Sequence, residues 1–305
     1  MITFPNTSEI AIRVADFTIT IRKSSNCPTL FLEKGYKEYQ TALISDVDSV
    51  VTAYSKIPEH LNTKADLLYK ATREDQDFWS ISRHQDGYKL TTYSQSNPGI
   101  IQQIAVIDAD FKDWKIYTET ITDPQSGEAG VCPLEYPMGP LLFYYLTVKN
   151  EAIMIHASGI NDDAVGRIFS GFSGVGKSTM AKIWESKGSQ IINDDRLIIR
   201  KQGDNYYIHN TPMVYVDTPK KVKLHTLYLP YHSPINKAEI LSPAKAVSKL
   251  LAYCIIHGYK KEHLEHHLDF LAAISTKHTT TRLGVVPDQN IIEFIKKNEN
   301  EHSVH

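Results

Sequence analysis

Eight consecutive residues carry most of the chemistry legible in this chain. Gly171-Phe172-Ser173-Gly174-Val175-Gly176-Lys177-Ser178 reads G-x-x-x-x-G-K-S without a mismatch, the spacing of a loop that cradles phosphates. Its glycines let the backbone curl so that successive N–H groups turn toward an anion. A helix beginning directly after the loop adds the positive end of its dipole to the same spot. In such a loop Gly171, Ser173, Gly174, Val175 and Gly176 surround the phosphates of a nucleoside triphosphate and Lys177 reaches the β- and γ-groups. The Ser178 hydroxyl is one ligand of magnesium, and Thr179 follows in the first helical turn. The competing account is a glycine-rich turn before an ordinary helix. The flanks favour the phosphate loop: Arg167–Ser170 is strand-like and Thr179–Trp184 is helical, the strand–loop–helix order the motif needs.

Downstream, Gly188 closes the helix as a C-cap, and Ser189–Asn193 reads as a short buried strand delivering Asp194 and Asp195. At the carboxyl end of a strand in a parallel α/β sheet, two carboxylates would lie in the ligand crevice. One could hold magnesium while the other accepts a proton from an attacking hydroxyl. Alternation along a strand lets both point inward only if the strand ends or bends there. Upstream, Met154–Ile160 reads as a strand and Asn161-Asp162-Asp163 as a turn before the loop strand. His156 on that strand is either a hydrogen-bonded core residue or a group that orients one of the carboxylates and tunes its pKa.

From His156 to Asp195 the residues resemble the catalytic core of the bacterial HPr kinase/phosphorylase superfamily, which shares its nucleotide fold with ATP-dependent phosphoenolpyruvate carboxykinase. His156-Ala157, the Gly171–Ser178 loop, Lys187-Gly188 and Asp194-Asp195 match that pattern without a gap. The resemblance implies ATP and Mg2+ as cofactors, Asp195 as the general base with His156 beside it, and Asp194 with Ser178 at the metal. Lys177 joins Asp195 and His156 as a catalytic residue. It also implies an α/β fold with a C-terminal P-loop kinase domain of the HPr kinase/phosphoenolpyruvate carboxykinase type. With the strand periodicity and linker-like run described below, the expected division is an N-terminal β-rich accessory domain over 1–130 and the kinase domain over 131–305.

Two departures matter. No Glu-Ile-Arg-Gly-Leu-Gly-like stretch lies between Arg196 and Lys223, and the family's Glu after the loop serine is Thr179 here. Neither HPr as substrate nor phosphorolysis is therefore implied. The chain looks more like the superfamily's divergent kinases, some of which resemble tailoring enzymes that phosphorylate serine on a ribosomal peptide. Thr211-Pro212, Leu241-Ser242-Pro243 and Leu283–Asp288 are counterparts of segments found in their C-terminal portions. The expected reaction is transfer of the γ-phosphoryl group to a hydroxyl, with serine of a protein or peptide as the first acceptor and a small-molecule hydroxyl as the other. Two rival readings stay open: a carboxykinase-type metabolic enzyme, which would need a dicarboxylate-binding cluster not evident here, and a non-catalytic ATP-sensing module.

Composition sets the frame. The chain has 305 residues, 42% apolar, with a net charge of −2 and three scattered cysteines. That suffices for one large core or two smaller ones. It points to no nucleic-acid partner, no membrane partner and no cysteine metal site. Sparse cysteines and the absence of a basic-then-apolar leader make the cytoplasm the expected compartment. The resemblance leaves room for a homo-oligomer.

The elements that must position the site fall into two groups. Residues 8 to 120 alternate with period two: Ile10, Ile12 and Val14, then Phe17, Ile19 and Ile21 after a shift at Ala15-Asp16. Gln85-Asp86-Gly87 marks a hairpin, Ile104–Ile107 and Trp114–Tyr117 read as further strands, and Pro58–Tyr69 alone reads as helix there. Residues 123–130 read as a linker and Pro140–Val148 as a buried helix. Four weaker features complete the list. His263 and His267, four apart, either share a metal-binding helix face or decorate a solvated one. Lys220, Lys221 and Lys223 could supply a cation to the transferring phosphoryl group. Arg196 could do the same or pair with Asp194. The tail from Lys296 is expected to fray.

Overall fold

The computed structural model describes residues 1–4, 7–63, 66–122, 127–213 and 215–302. The chain divides into two compact units: residues 1–149 with 212–218, and residues 150–211 with 219–305.

The first unit is built on antiparallel and mixed sheet. A small sheet joins β1 (Ile2–Phe4), β4 (Thr29–Leu32), β12 (Ile121–Thr122) and β13 (Ala129–Val131). The larger sheet has β2 (Glu9–Val14), β3 (Phe17–Lys23), β5 (Gln40–Thr41), β6 (Ser49–Ser55), β7 (Leu67–Arg73), β8 (Gln76–His84), β9 (Gly87–Tyr93), β10 (Ile101–Ile107) and β11 (Asp113–Thr118). Its order is β5-β2-β3-β6-β11-β10-β9-β8-β7.

The period-two pattern becomes these strands directly. The shift at Ala15-Asp16 is a two-residue hairpin turn, with φ of 50° and 61° and Val14 paired to Phe17. Gly87 opens β9 because a side chain there would collide with the Ile107 carbonyl, 2.0 Å from where its Cβ would stand. Helix α1 (Met138–Lys149) is buried as expected. Its Tyr145 stacks on Phe111 with ring centroids 4.4 Å apart, and its Lys149 pairs with Asp110.

Three expectations change in this unit. Pro58–Tyr69 is not a helix. A 3-10 turn at Glu59–Leu61 gives way to edge strand β7, with residues 64–65 outside the described set. A helix of that length is marginal alone, whereas β7 gains a ladder of hydrogen bonds from β8. The linker reading at 123–130 fails where it can be seen. Residues 123–126 lie outside the described set, and Gly130 pairs with Thr29 inside the small sheet. The boundary expected at 130 falls within the first unit, because α1 packs there and carries the unit to Lys149.

The second unit holds β14 (Ala152–Asp162), β15 (Val165–Ser170), β16 (Gln190–Gln202), β17 (Asn205–Asn210), β18 (Lys221–His232), β19 (Lys237–Ile240) and β20 (Thr280–Val285). Its helices are α2 (Lys177–Glu185), α3 (Pro243–Leu251), α4 (Lys261–Lys277) and α5 (Asn290–His302). The order is β15-β14-β16-β17-β18-β20-β19, and β15 also pairs with β18, so the first five strands close on themselves. The sheet is mixed rather than the expected parallel one: β15, β18 and β20 run parallel, and β14, β16, β17 and β19 join through antiparallel ladders.

Alternate residues serve two cores. Ile168, Leu227 and Leu229 face α3 and α4 through Leu250, Phe270, Leu271 and Ile274. Their strand neighbours Phe169 and Tyr228 face α2 and α5 through Met180, Trp184, Ile291 and Ile295. The C-terminal tail is ordered helix through His302, not frayed. Glu299 takes two hydrogen bonds from buried Arg167, at 2.9 and 2.6 Å, and one from the Tyr228 hydroxyl at 2.8 Å. Among the described residues, no helix is long and apolar enough to cross a membrane.

Candidate active site

Strand β15 ends at Ser170, the chain turns through Gly171–Gly176, and α2 begins at Lys177 with the Met180 amide donating to the Gly176 carbonyl. Gly174 and Gly176 have φ of 83° and 98°, and open space stands where a Cβ would be. Any side chain at either position would be strained and would fill the concavity an anion needs. Gly171 is required for a different reason: its Cβ would press on the Val175 side chain at 2.8 Å. The Lys177 ammonium donates to the carbonyls of Gly171 and Phe172, at 2.8 and 3.0 Å. It thus hangs over the loop on two neutral acceptors, where phosphate oxygens would be far stronger partners. Ser173, Ser178 and Thr179 are exposed around the rim. His232, at the carboxyl end of β18, places Nε2 3.1 Å from the Gly174 carbonyl.

The carboxylates reach this loop through the sheet. Ser170 pairs with Ala157 on β14, and Ala157 pairs with Asp195 on β16; one rung over, Phe169, Ser158 and Asp194 are aligned likewise. Two strand spacings separate Ser170 from Asp195, on the order of 10 Å. The Ser170 hydroxyl donates to the His156 carbonyl at 2.8 Å and ties the loop's root to the histidine strand. The strand does not end at the carboxylate pair, as alternation seemed to demand. It runs on through Gln202, with a register shift opposite Gly159/Ile160 just before the pair. Asn161 and Asp162 likewise belong to β14, and the turn is Asp163-Ala164, with φ of 51° and 65°.

The two carboxylates have different partners. The buried Ser158 hydroxyl donates to Asp194 Oδ1. Asp195 Oδ1 lies 3.6 Å from His156 Nδ1, and its Oδ2 accepts from Arg196 Nε at 3.0 Å. Its amide donates to Asn193 Oδ1. His156 beside it, with Arg196 adding to the effect and partial burial opposing it, lowers the Asp195 carboxyl to about 2. Side-chain exposures of 55% for His156 and 40% for Asp195 leave both open to an incoming group.

The metal-ligand candidates Ser178 and Asp194 offer oxygen only, which suits magnesium. Among the described residues, no group of three or more His, Cys, Asp or Glu could hold a metal by itself. A hydroxyl and a carboxylate beside a phosphate loop fit a cation that arrives on nucleotide phosphates.

Other candidates lie elsewhere. Lys220, Lys221 and Lys223 sit at or just before the amino end of β18. Leu224 there is level with Gly166, whereas the loop leaves β15 beyond the Phe169–Tyr228 rung, more than about 13 Å along the strands. Lys221 instead bonds Gln202 at 2.6 Å and covers the Tyr207 ring, so the lysine run supplies no cation to the loop. Arg196 pairs with Asp195 rather than Asp194. His263 and His267 do not decorate a solvated face. Both are buried, with His267 Nδ1 2.7 Å from the His263 carbonyl and Tyr259 edge-on to the His263 ring. Ser242-Pro243 and Asp288 are helix starts: Pro243 opens α3, and Asp288 Oδ1 accepts the Asn290 amide at the head of α5. His232 and Ser158 escaped the sequence reading, because each reaches the site by register between distant strands and no local pattern marks that.

No protein-family model matches the chain, and no curated protein matches it either. Among solved structures, it is similar to the HPr(Ser) kinase/phosphatase from Coxiella burnetii. The identity is 11% and the TM-score 0.30, over 50% of this chain and 99% of that one.

Proposed function

We propose that this protein is an ATP-dependent kinase that transfers the γ-phosphoryl group to the hydroxyl of serine in a protein or peptide. One observation carries the reading: an open, glycine-built loop with a poised lysine is hydrogen-bonded at its root to the strand of His156, and Asp194 and Asp195 stand on the next strand. Phosphoryl transfer asks for positioning and charge neutralisation more than for covalent chemistry, so few groups suffice.

Lys177 exchanges its two carbonyl partners for β- and γ-phosphate oxygens. Asp195, ionised, orients the serine hydroxyl by accepting its hydrogen bond. As the serine oxygen bonds to the γ-phosphorus, the bond from that phosphorus to the bridging oxygen breaks and leaves with ADP, and the hydroxyl proton passes to Asp195. A carboxyl of so low a pKa is a weak base; that suits a loose transition state, in which the proton leaves late. His156 and Arg196 keep the carboxylate charged and aimed. Ser178 and Asp194 would hold magnesium, which would supply charge neutralisation to the transferring phosphoryl group.

The test uses γ-labelled ATP with a desalted extract of the source cells, the small-molecule fraction being assayed apart. Label should enter a protein or peptide band with wild type and not with Asp195→Asn. Label confined to small molecules would replace a protein or peptide acceptor with a metabolite. No transfer anywhere would leave an ATP-binding module.

A further inference from the structure

The loop carries an aromatic side chain that phosphate binding does not require. Phe172 is 65% exposed, and its ring meets Tyr253 edge-on, with centroids 5.1 Å apart. A phosphate cradle is made of backbone, so a large apolar ring at this position has another use.

Its neighbours say which side of the nucleotide it serves. Strand β15 stops pairing with β14 at Ser170–Ala157, where the chain leaves for the loop. The segment from Tyr253 to Ile255 takes over as neighbour of β14: Tyr253 accepts the His156 amide at 2.9 Å, Cys254 bridges Ile155, and the Ile255 amide donates to Met154 at 2.8 Å. Tyr253 is thereby fixed beside His156, the partner of Asp195. The Phe172 carbonyl, for its part, holds the Lys177 ammonium that serves the β- and γ-phosphates. An adenine base trails from the far end of the triphosphate. With a nucleotide so placed, both rings would stand at its γ-phosphate end, beside His156 and Lys177.

We propose that Phe172 and Tyr253 form an apolar seat for the residue next to the accepting serine, so that the enzyme selects serines flanked by an aromatic or large aliphatic side chain. The inference rests on the kinase reading above and adds the acceptor class to it. Phe172 is largely exposed and Tyr253, half-buried against the core beneath α3 and α4, backs it, so an aromatic or branched side chain can cover the outer surface of the pair.

The probe is a set of synthetic peptides with one fixed serine and each residue type in turn at the two positions on either side, offered with γ-labelled ATP. Wild type should favour Phe, Tyr, Trp, Leu or Ile at one flanking position by about tenfold over glycine, the discrimination one well-packed apolar group provides. In Phe172→Ser, whose site is already exposed, and in Tyr253→Ser, that preference should shrink to within about twofold, with Phe172→Tyr restoring it. The KM for ATP in Tyr253→Ser should stay within about twofold. Phosphorylation without flanking preference overturns this inference alone. A roughly tenfold rise in KM for ATP in Phe172→Ser, with peptide preference intact, makes the rings a base platform and also overturns it. ATP bound but no peptide labelled by wild type sinks the peptide-kinase reading and this inference together.

Discussion

Asp195 stands between the Arg196 guanidinium and the His156 imidazole, which meet its two carboxylate oxygens separately. Its folded pKa, about 2, lies below the ordinary 3.8. The stability its charge contributes is thus present above about pH 4 and lost as pH falls toward 2. Exposure of the side chain to water keeps that contribution small. In the proposed transfer Asp195 would be ionised throughout the neutral range, so no acid limb between pH 5 and 8 should come from it. Titration of its carboxyl carbon by NMR should place the wild-type midpoint near 2, and in Arg196→Gln it should move toward 3.8; a wild-type midpoint already at 3.8 would remove the assigned role of both neighbours. Asp195→Asn should leave ATP affinity within about twofold while transfer falls two to four orders of magnitude, the usual worth of a positioned base. Full transfer by that variant would overturn its role. Lys177→Ala should weaken ATP binding roughly 10- to 100-fold by loss of a charge-assisted contact, measured by calorimetry. The side chains of this site were readable from their order in the chain, but their partners were not. Arg196 seemed free to meet Asp194, and only the rung between β14 and β16 gives Asp194 to Ser158 and leaves Arg196 to Asp195.

Among the elements, the loop helix α2 and the last helix α5 meet over one buried charge. Arg167 is 3% exposed, donates to Glu299 twice, lies 3.3 Å from Asp162, and sets its guanidinium over the Trp184 ring of α2. Burial alone would raise the Asp162 carboxyl, yet Lys296, Ser189 and Arg167 hold it below its usual range. Removing the arginine takes a cation from two partly buried carboxylates, so Arg167→Ala should cost about 3–5 kcal/mol in urea unfolding. A double variant Arg167→Met/Glu299→Gln, which removes most of the stranded charge, should cost clearly less, and equal losses would show that the pair is not the cause. The same contact explains why the tail was misread. Its polar residues suggest fraying in isolation, and the partner that orders them lies 132 positions earlier. Elements defined by local pattern fared better. The hairpin at Ala15-Asp16 and the strand–loop–helix around Lys177 needed only neighbours in sequence, whereas β7 formed where helix was expected because β8 was there to pair with it.

At the scale of the molecule, the sequence divided at a linker-like run, but the units divide by packing, which gives α1 to the first and returns 212–218 to it. The second unit carries a liability of its own. His257, His263 and His267 are buried together around the start of α4, with Lys260 and Glu262 beside His263. Burial lowers all three, His257 to about 3 and His263 to about 4. The unfolded chain takes up protons at these side chains below about pH 6.5, while the native state resists protonating all three and refuses protons at His263 and His257 until about pH 4 and 3. In that window the unfolded state binds more protons, so stability falls as pH falls, by up to about 1.4 kcal/mol per pH unit for each histidine. Acidification from pH 7 to 5 should therefore loosen the second unit while Asp195 is still fully ionised. Hydrogen exchange at pH 5 should show protection lost first in 150–211 and 219–302, with residues of the first unit retained. Replacing His257 with Asn and His263 and His267 with Gln should flatten the fall in Tm between pH 7 and 5, even if it lowers the Tm at pH 7. An equally steep fall in the triple variant would mean that other groups set the acid sensitivity and that these histidines are not held neutral by burial.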